Sequence, residues 1–149
     1  MKSLLLIFIS FLTLNCDAQE DAFVDKYFLI VYSSENFEDA LSYAKKVRKA
    51  TNIELTRNGY IADDDLGFID TAVCDCGEFH DYMPRGRYDD GTFITVEYSS
   101  GYENFSEGYY IVITASGEKK EVEVEEKRIR VVFPNAYMKK SSIYMGCMH

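Results

Sequence analysis

Gly108–Ser116, GYYIVITAS, repeats near the middle of the chain what Lys26–Ser34, KYFLIVYSS, says near its start. Both are short runs of aromatic and β-branched residues ending in small hydroxyl side chains, the composition of a buried strand running into a turn. Each is followed by a charged segment with the material for a helix. After the first strand, Ser34 or Asn36 can cap a helix over Phe37–Ala50, because a side-chain oxygen there accepts from the first free backbone amides. Phe37, Ala40, Leu41, Ala44 and Val47 fall on one face of that helix, and Lys45, Lys46, Arg48 and Lys49 crowd its last turns, where the helix dipole favours cations. Asn52–Tyr60 alternates Ile53 and Leu55 against Glu54 and Thr56 and ends in Asn58-Gly59, which predicts a second strand closed by a turn.

The second copy has less regular surroundings. Cys74–Gly91 reads as a loop, with Pro84, Arg85, Gly86, Arg87, Tyr88, Asp89, Asp90 and Gly91 at its polar end. Thr92–Tyr98 alternates as a strand, Ser99–Glu107 is a loop, and Tyr109–Ala115 is the strand of the opening stretch. Glu118–Val132 reads two ways: Glu121 to Glu125 alternates like an exposed strand, whereas Val122, Ile129, Val132 and Phe133 sit at helical spacing. Analogy with the first half favours a helix. Pro134 ends it, and Asn135–Tyr144 supplies a last strand. The fold class expected is α+β, a ferredoxin-like sandwich in which two βαβ-type halves, about 26–60 and 108–144, form one mixed or antiparallel sheet with two helices.

Composition sets the outer bounds. With 149 residues, 47% hydrophobic and 15% aromatic, the chain can bury a core, and nine glycines and two prolines are too few for low complexity. A formal net charge of −9 argues against nucleic acid, whose recognition rests on Lys and Arg neutralising phosphates. Met1–Leu14 carries Lys2 and then an apolar run of signal-peptide length, too short for a permanent membrane span. The chain is therefore expected to be exported, to the periplasm or to an outer-membrane anchorage. Residues 1–18 form the signal peptide if cleavage follows Ala18, leaving 19–149 as one α+β domain. Alternatively, Leu12–Cys16 resembles a relaxed lipobox that would make Cys16 a lipidated N-terminus.

Each half resembles a sporulation-related repeat (SPOR) unit, a small βαβ module of bacterial envelope proteins. The first half carries the resemblance in Tyr27–Val31 with Ala40 and Leu41. The second carries it in Tyr109–Ile113 and in Phe133, Pro134, Asn135, Ala136, Tyr137, Met138, Lys139 and Lys140. The Cys74–Gly91 loop and the strand at Thr92 have no place in that repeat. As a whole, with its ending Tyr144–His149, the chain is also similar to a family of exported Bacteroidetes proteins. The SPOR resemblance implies binding of peptidoglycan glycan.

Candidate chemistry is sparse. The acidic triplet Asp63, Asp64, Asp65 lacks the alternation and closing glutamate of a calcium loop and reads as a solvated turn. In an oxidising compartment Cys147 can pair with Cys74 or Cys76, a closure of roughly 70 residues that stabilises by about 4 kcal/mol in the chain-entropy description. The competing reading is a zinc or copper site from Cys74, Cys76, Cys147 and His149, or His80. Cys147 two residues from His149 is a poorly braced place for a nucleophile, so no catalytic residue is assigned. Tyr98, Tyr102, Tyr109 and Tyr110 cluster around one loop and, with Arg85 and Arg87, are the candidate binding residues, since hydroxyl-bearing rings suit glycan stacking and protein interfaces. The function expected is non-catalytic binding of peptidoglycan glycan at the cell envelope without a cofactor. The alternative is a periplasmic immunity or inhibitor protein whose acidic surface occludes a toxin or lytic enzyme.

Overall fold

The structure is a computed structural model that describes residues 22–56, 60–63, 67–70 and 82–146. Strand β1 (Phe23–Ser34) leads into helix α1 (Phe37–Thr51), then the short strands β2 (Tyr60–Asp63) and β3 (Gly67–Asp70), the long strands β4 (Gly91–Tyr98) and β5 (Tyr110–Gly117), helix α2 (Lys119–Ile129) and strand β6 (Tyr137–Tyr144). The main sheet has the order β4-β5-β1-β6, and all its pairings are antiparallel. Without the small β2–β3 hairpin this is βαββαβ connectivity with the two central strands contributed by the two similar stretches, the ferredoxin-like arrangement. The expected α+β class holds.

Helix α1 forms where the pattern placed it. The Asn36 side chain accepts from the Asp39 amide at 3.1 Å, Glu38 and Asp39 occupy the first turn, and Arg48 and Lys49 the last. The helix stops at Asn52, which is left-handed at φ 59 and donates its N–H to the Arg48 carbonyl. Ala40, Ala44 and Val47 are buried on its inner face. The ambiguous segment after β5 is a helix: Val122 and Ile129, seven residues apart, are buried, whereas Val124 points outward and defeats the strand reading. It ends earlier than Val132, which is exposed together with Val131, and the chain returns to the core at Phe133 and Ala136.

One expectation fails. Of the expected strand Asn52–Tyr60, residues 52–56 are not a sheet strand and Tyr60 begins β2: Leu55 makes a single parallel bridge to Ile94, through hydrogen bonds from Thr56 N to Ile94 O and from Ile94 N to Glu54 O. The place beside β5 belongs instead to Gly91–Tyr98, the strand the repeat pattern left out. This strand pairs along β5 from Gly91 to Tyr98, whereas residues 52–56 reach the sheet at the Leu55–Ile94 bridge.

Both helices pack on one face of the sheet, around Leu29, Val31, Ile94, Val112 and Ala115. The opposite face carries a second cluster, Phe28, Ile30, Tyr102, Ile111, Ile113 and Ile143, and among the described residues neither α1 nor α2 packs on it. Loop residues close it: Gly86 lies so near Phe28 that a Cβ there would sit 2.8 Å from the ring, and Phe105 and Tyr102 meet the Phe28 ring edge-on. Replacing Asn36 with Ala removes the α1 cap and is expected to cost about 1 kcal/mol of stability, read as a shifted midpoint in urea unfolding.

Candidate functional site

The open face of the sheet is held by a buried polar clamp. On β4, Phe93, Thr95 and Glu97 alternate toward that face, and the loop Tyr82–Asp90 lays Arg85 across them. Arg85 is 1% exposed and Glu97 wholly buried. The guanidinium donates through Nε to Ser116 Oγ (3.0 Å), through Nη1 to the Phe93 carbonyl (2.7 Å) and Thr95 Oγ1 (3.4 Å), and through Nη2 to the Gly91 carbonyl (2.7 Å). Its plane lies 3.5 Å from the centroid of the Phe93 ring. The Glu97 carboxylate accepts from the Tyr82 hydroxyl and from the Arg85 backbone N–H. Burial lowers the Arg85 pKa to about 10 and raises that of Glu97, against the hydrogen bonds and the nearby guanidinium that lower it. Burial also pushes the Tyr82 and Tyr102 hydroxyls well above their usual range, with the Glu97 charge adding to it. The Tyr102 hydroxyl approaches that of Tyr82 without hydrogen-bond geometry.

The candidate binding residues separate accordingly. Arg85 and Tyr102 are structural, and their side chains offer nothing to a ligand on the sheet face. Arg87 is also buried: it donates to the Gly146 carbonyl and lies beside the Tyr88 and Tyr144 rings. Tyr109 is half-buried against the open-face cluster. Tyr98 and Tyr110 belong to a different place, on the helix side of the sheet. Cys16, Cys74, Cys76, His80, Cys147 and His149 lie outside the described residues, and with them the lipidation, disulfide and metal readings.

The structure also brings together a groove that the sequence pattern does not single out. The β2–β3 hairpin stands against the start of α1 through Phe68, whose ring lies 5.3–5.9 Å from those of Phe37, Tyr60, Tyr82 and Tyr110. The Tyr110 hydroxyl donates to the Gly67 carbonyl at 2.8 Å, and Gly67 at φ 79 lies flat on Tyr98, where a Cβ would meet the ring at 2.2 Å. Between helix and hairpin opens a cavity of about 500 Å³ walled by Phe37, Leu41, Leu55, Ile61, Phe68 and Val96. It continues past Phe37, Glu38 and Ala62 into a second hollow of about 310 Å³ whose walls include Glu35, Asp63, Tyr98 and Tyr110. One end is therefore apolar and the other acidic. Glu35 and Glu38 enter no ion pair among the described residues. In the sequence Tyr60, Ile61 and Ala62 run directly into the acidic triplet at 63–65, with no periodicity that marks a strand or a groove.

No family model, curated protein or solved structure matches the chain.

Because Glu97 titrates above the ordinary carboxylate value of 4.5, the folded chain keeps its proton over a pH range in which the unfolded chain has lost it. Glu97 therefore contributes a loss of stability as pH rises from about 4.5 toward its folded pKa. Urea unfolding across pH 4–8 should show that wild type minus Glu97→Gln has this falling component; equal slopes for both chains would contradict it.

Proposed function

We propose that the protein is an exported, non-catalytic binding protein that holds a basic, apolar-tipped segment of a protein partner, in the manner of an immunity or inhibitor protein that occludes a toxin or lytic enzyme. The groove between α1 and the β2–β3 hairpin carries this reading: its apolar end suits a Leu-, Ile- or Phe-sized side chain, and its acidic end suits a neighbouring Lys or Arg. The net charge of −9 supports it by steering a basic partner toward the protein. Arg85 and Tyr102 are engaged in the interior, which removes part of the aromatic sheet face on which the glycan reading rested.

Glycan binding has a second observation in its favour, elsewhere on the surface. Phe23 and Tyr144 are 49% and 39% exposed with ring centroids 5.1 Å apart, and Tyr88 beside Arg87 is 75% exposed. Exposed rings of this kind are suitable platforms for sugar stacking.

The two readings separate in one set of measurements. Calorimetric titration with a peptide of alternating leucine and lysine should give binding that Ile61→Asp or Glu38→Lys weakens at least about tenfold, or 1.4 kcal/mol, with no retention of the wild type on denuded sacculi. Retention on sacculi that Tyr88→Ala abolishes, with no peptide binding, would instead support the glycan reading.

A further inference from the structure

The outer edge of β4 is covered at two points and open between them. The Ser99 N–H donates to the Tyr109 carbonyl at 2.8 Å, which fixes the alternation of the strand. Thr95 and Glu97 turn their backbone groups toward β5, while Ile94, Val96 and Tyr98 turn theirs outward. At Ile94 both outward groups are bonded, the N–H to the Glu54 carbonyl and the C=O to the Thr56 N–H. At Tyr98 the outward N–H donates to the Tyr82 hydroxyl at 3.2 Å. Val96 lies between these two covers, and among the described residues neither its N–H nor its C=O has a partner. It is half-buried, whereas Ile94 and Glu97 are wholly buried, and it lines the cavity of about 500 Å³ together with Leu55 and Thr56.

We infer that an extended segment of the partner docks its backbone on Val96, as residues 54–56 of this chain dock on Ile94. The inference rests on the groove reading given above and deepens it: the partner is held by its main chain as well as by an apolar and a basic side chain. The contact at Ile94 is its template, since there both backbone groups are bonded and Leu55 packs against the core on the helix side of the sheet. Residues opposed on neighbouring strands share a face, and the Val96 side chain also lies on the helix side. The partner residue opposite Val96 therefore turns its side chain toward Phe37, Leu41 and Ile61, the apolar end of the groove. Glu38 borders both the cavity and the acidic hollow and takes an adjoining Lys or Arg. A helical segment is excluded from this mode, because its own backbone groups are bonded internally, whereas a strand carries a free donor and acceptor on its outer edge.

Calorimetric titration with the peptide acetyl-Ser-Ser-Lys-Leu-Lys-Ser-Ser-amide and its amide-to-ester analogues tests this, since each ester removes one N–H and keeps every side chain and charge. The single leucine fixes the register. If the peptide runs antiparallel to β4, the leucine N–H reaches the Val96 carbonyl; if parallel, the N–H of the following lysine does. One of these two esters should bind about fivefold more weakly, whereas an ester at the first lysine should bind like the parent. In hydrogen exchange, the Val96 amide should slow when the peptide saturates the protein. Binding that tolerates both esters, or a Val96 amide that exchanges equally fast with and without peptide, overturns the backbone docking; if Ile61→Asp still abolishes that binding, the groove reading survives without it. Absence of binding by the parent peptide at about 1 mM overturns both.

Discussion

A guanidinium and a carboxylate have been taken out of water on the side of the sheet opposite α1 and α2. Removing either charge from solvent is costly, and that cost is offset only where geometry supplies partners for the remaining donors and acceptors. Arg85 meets this condition with two backbone carbonyls, two hydroxyls and an aromatic face, and Glu97 with a tyrosine hydroxyl and a backbone amide. Because those partners come from β4, β5 and the loop before β4, the clamp fixes an irregular segment as firmly as a strand. The loop can then do what a second layer of helices would do elsewhere, covering Phe28 and Ile143 through Gly86.

The consequences for recognition follow from that closure. Residues that look like a ligand-ready cluster in the chain, Arg85 and Tyr102, are the cover and its support. What is accessible among the described residues lies at the margins: the groove where Phe68 ties the small hairpin to α1, and the aromatic end at Phe23 and Tyr144. The groove sets two chemistries side by side, an apolar pocket that shares Phe37, Glu38 and Ala62 with a hollow lined by carboxylates.

Much of the scaffold was legible because its signals are local. The strand pair Lys26–Ser34 and Gly108–Ser116, the Asn36 cap and the cationic end of α1 depend on neighbours a few residues away, and all stand as expected. The exchange of Asn52–Tyr60 for Gly91–Tyr98 as the fourth sheet strand was not legible, since both alternate and only long-range pairing decides between them. The same holds for the arginine. In the chain Arg85 sits among Pro, Gly and Asp and reads as a solvated turn; its burial depends on Glu97, twelve residues on, and on Ser116, thirty-one residues on. The groove is built from α1, β2 and β3 together, so no single window contains it.

This loop belongs to the core, and the backbone amide of Arg85 reports on it directly. That amide lies outside any helix or strand, yet it is buried and bonded to Glu97. Native-state hydrogen exchange should find it among the slowest amides, exchanging with those of β5 through the global unfolding reaction. Exchange at the rate of exposed loop amides such as those near Asn104 would contradict the account, because the open face would then be accessible and the tyrosines around it free to bind.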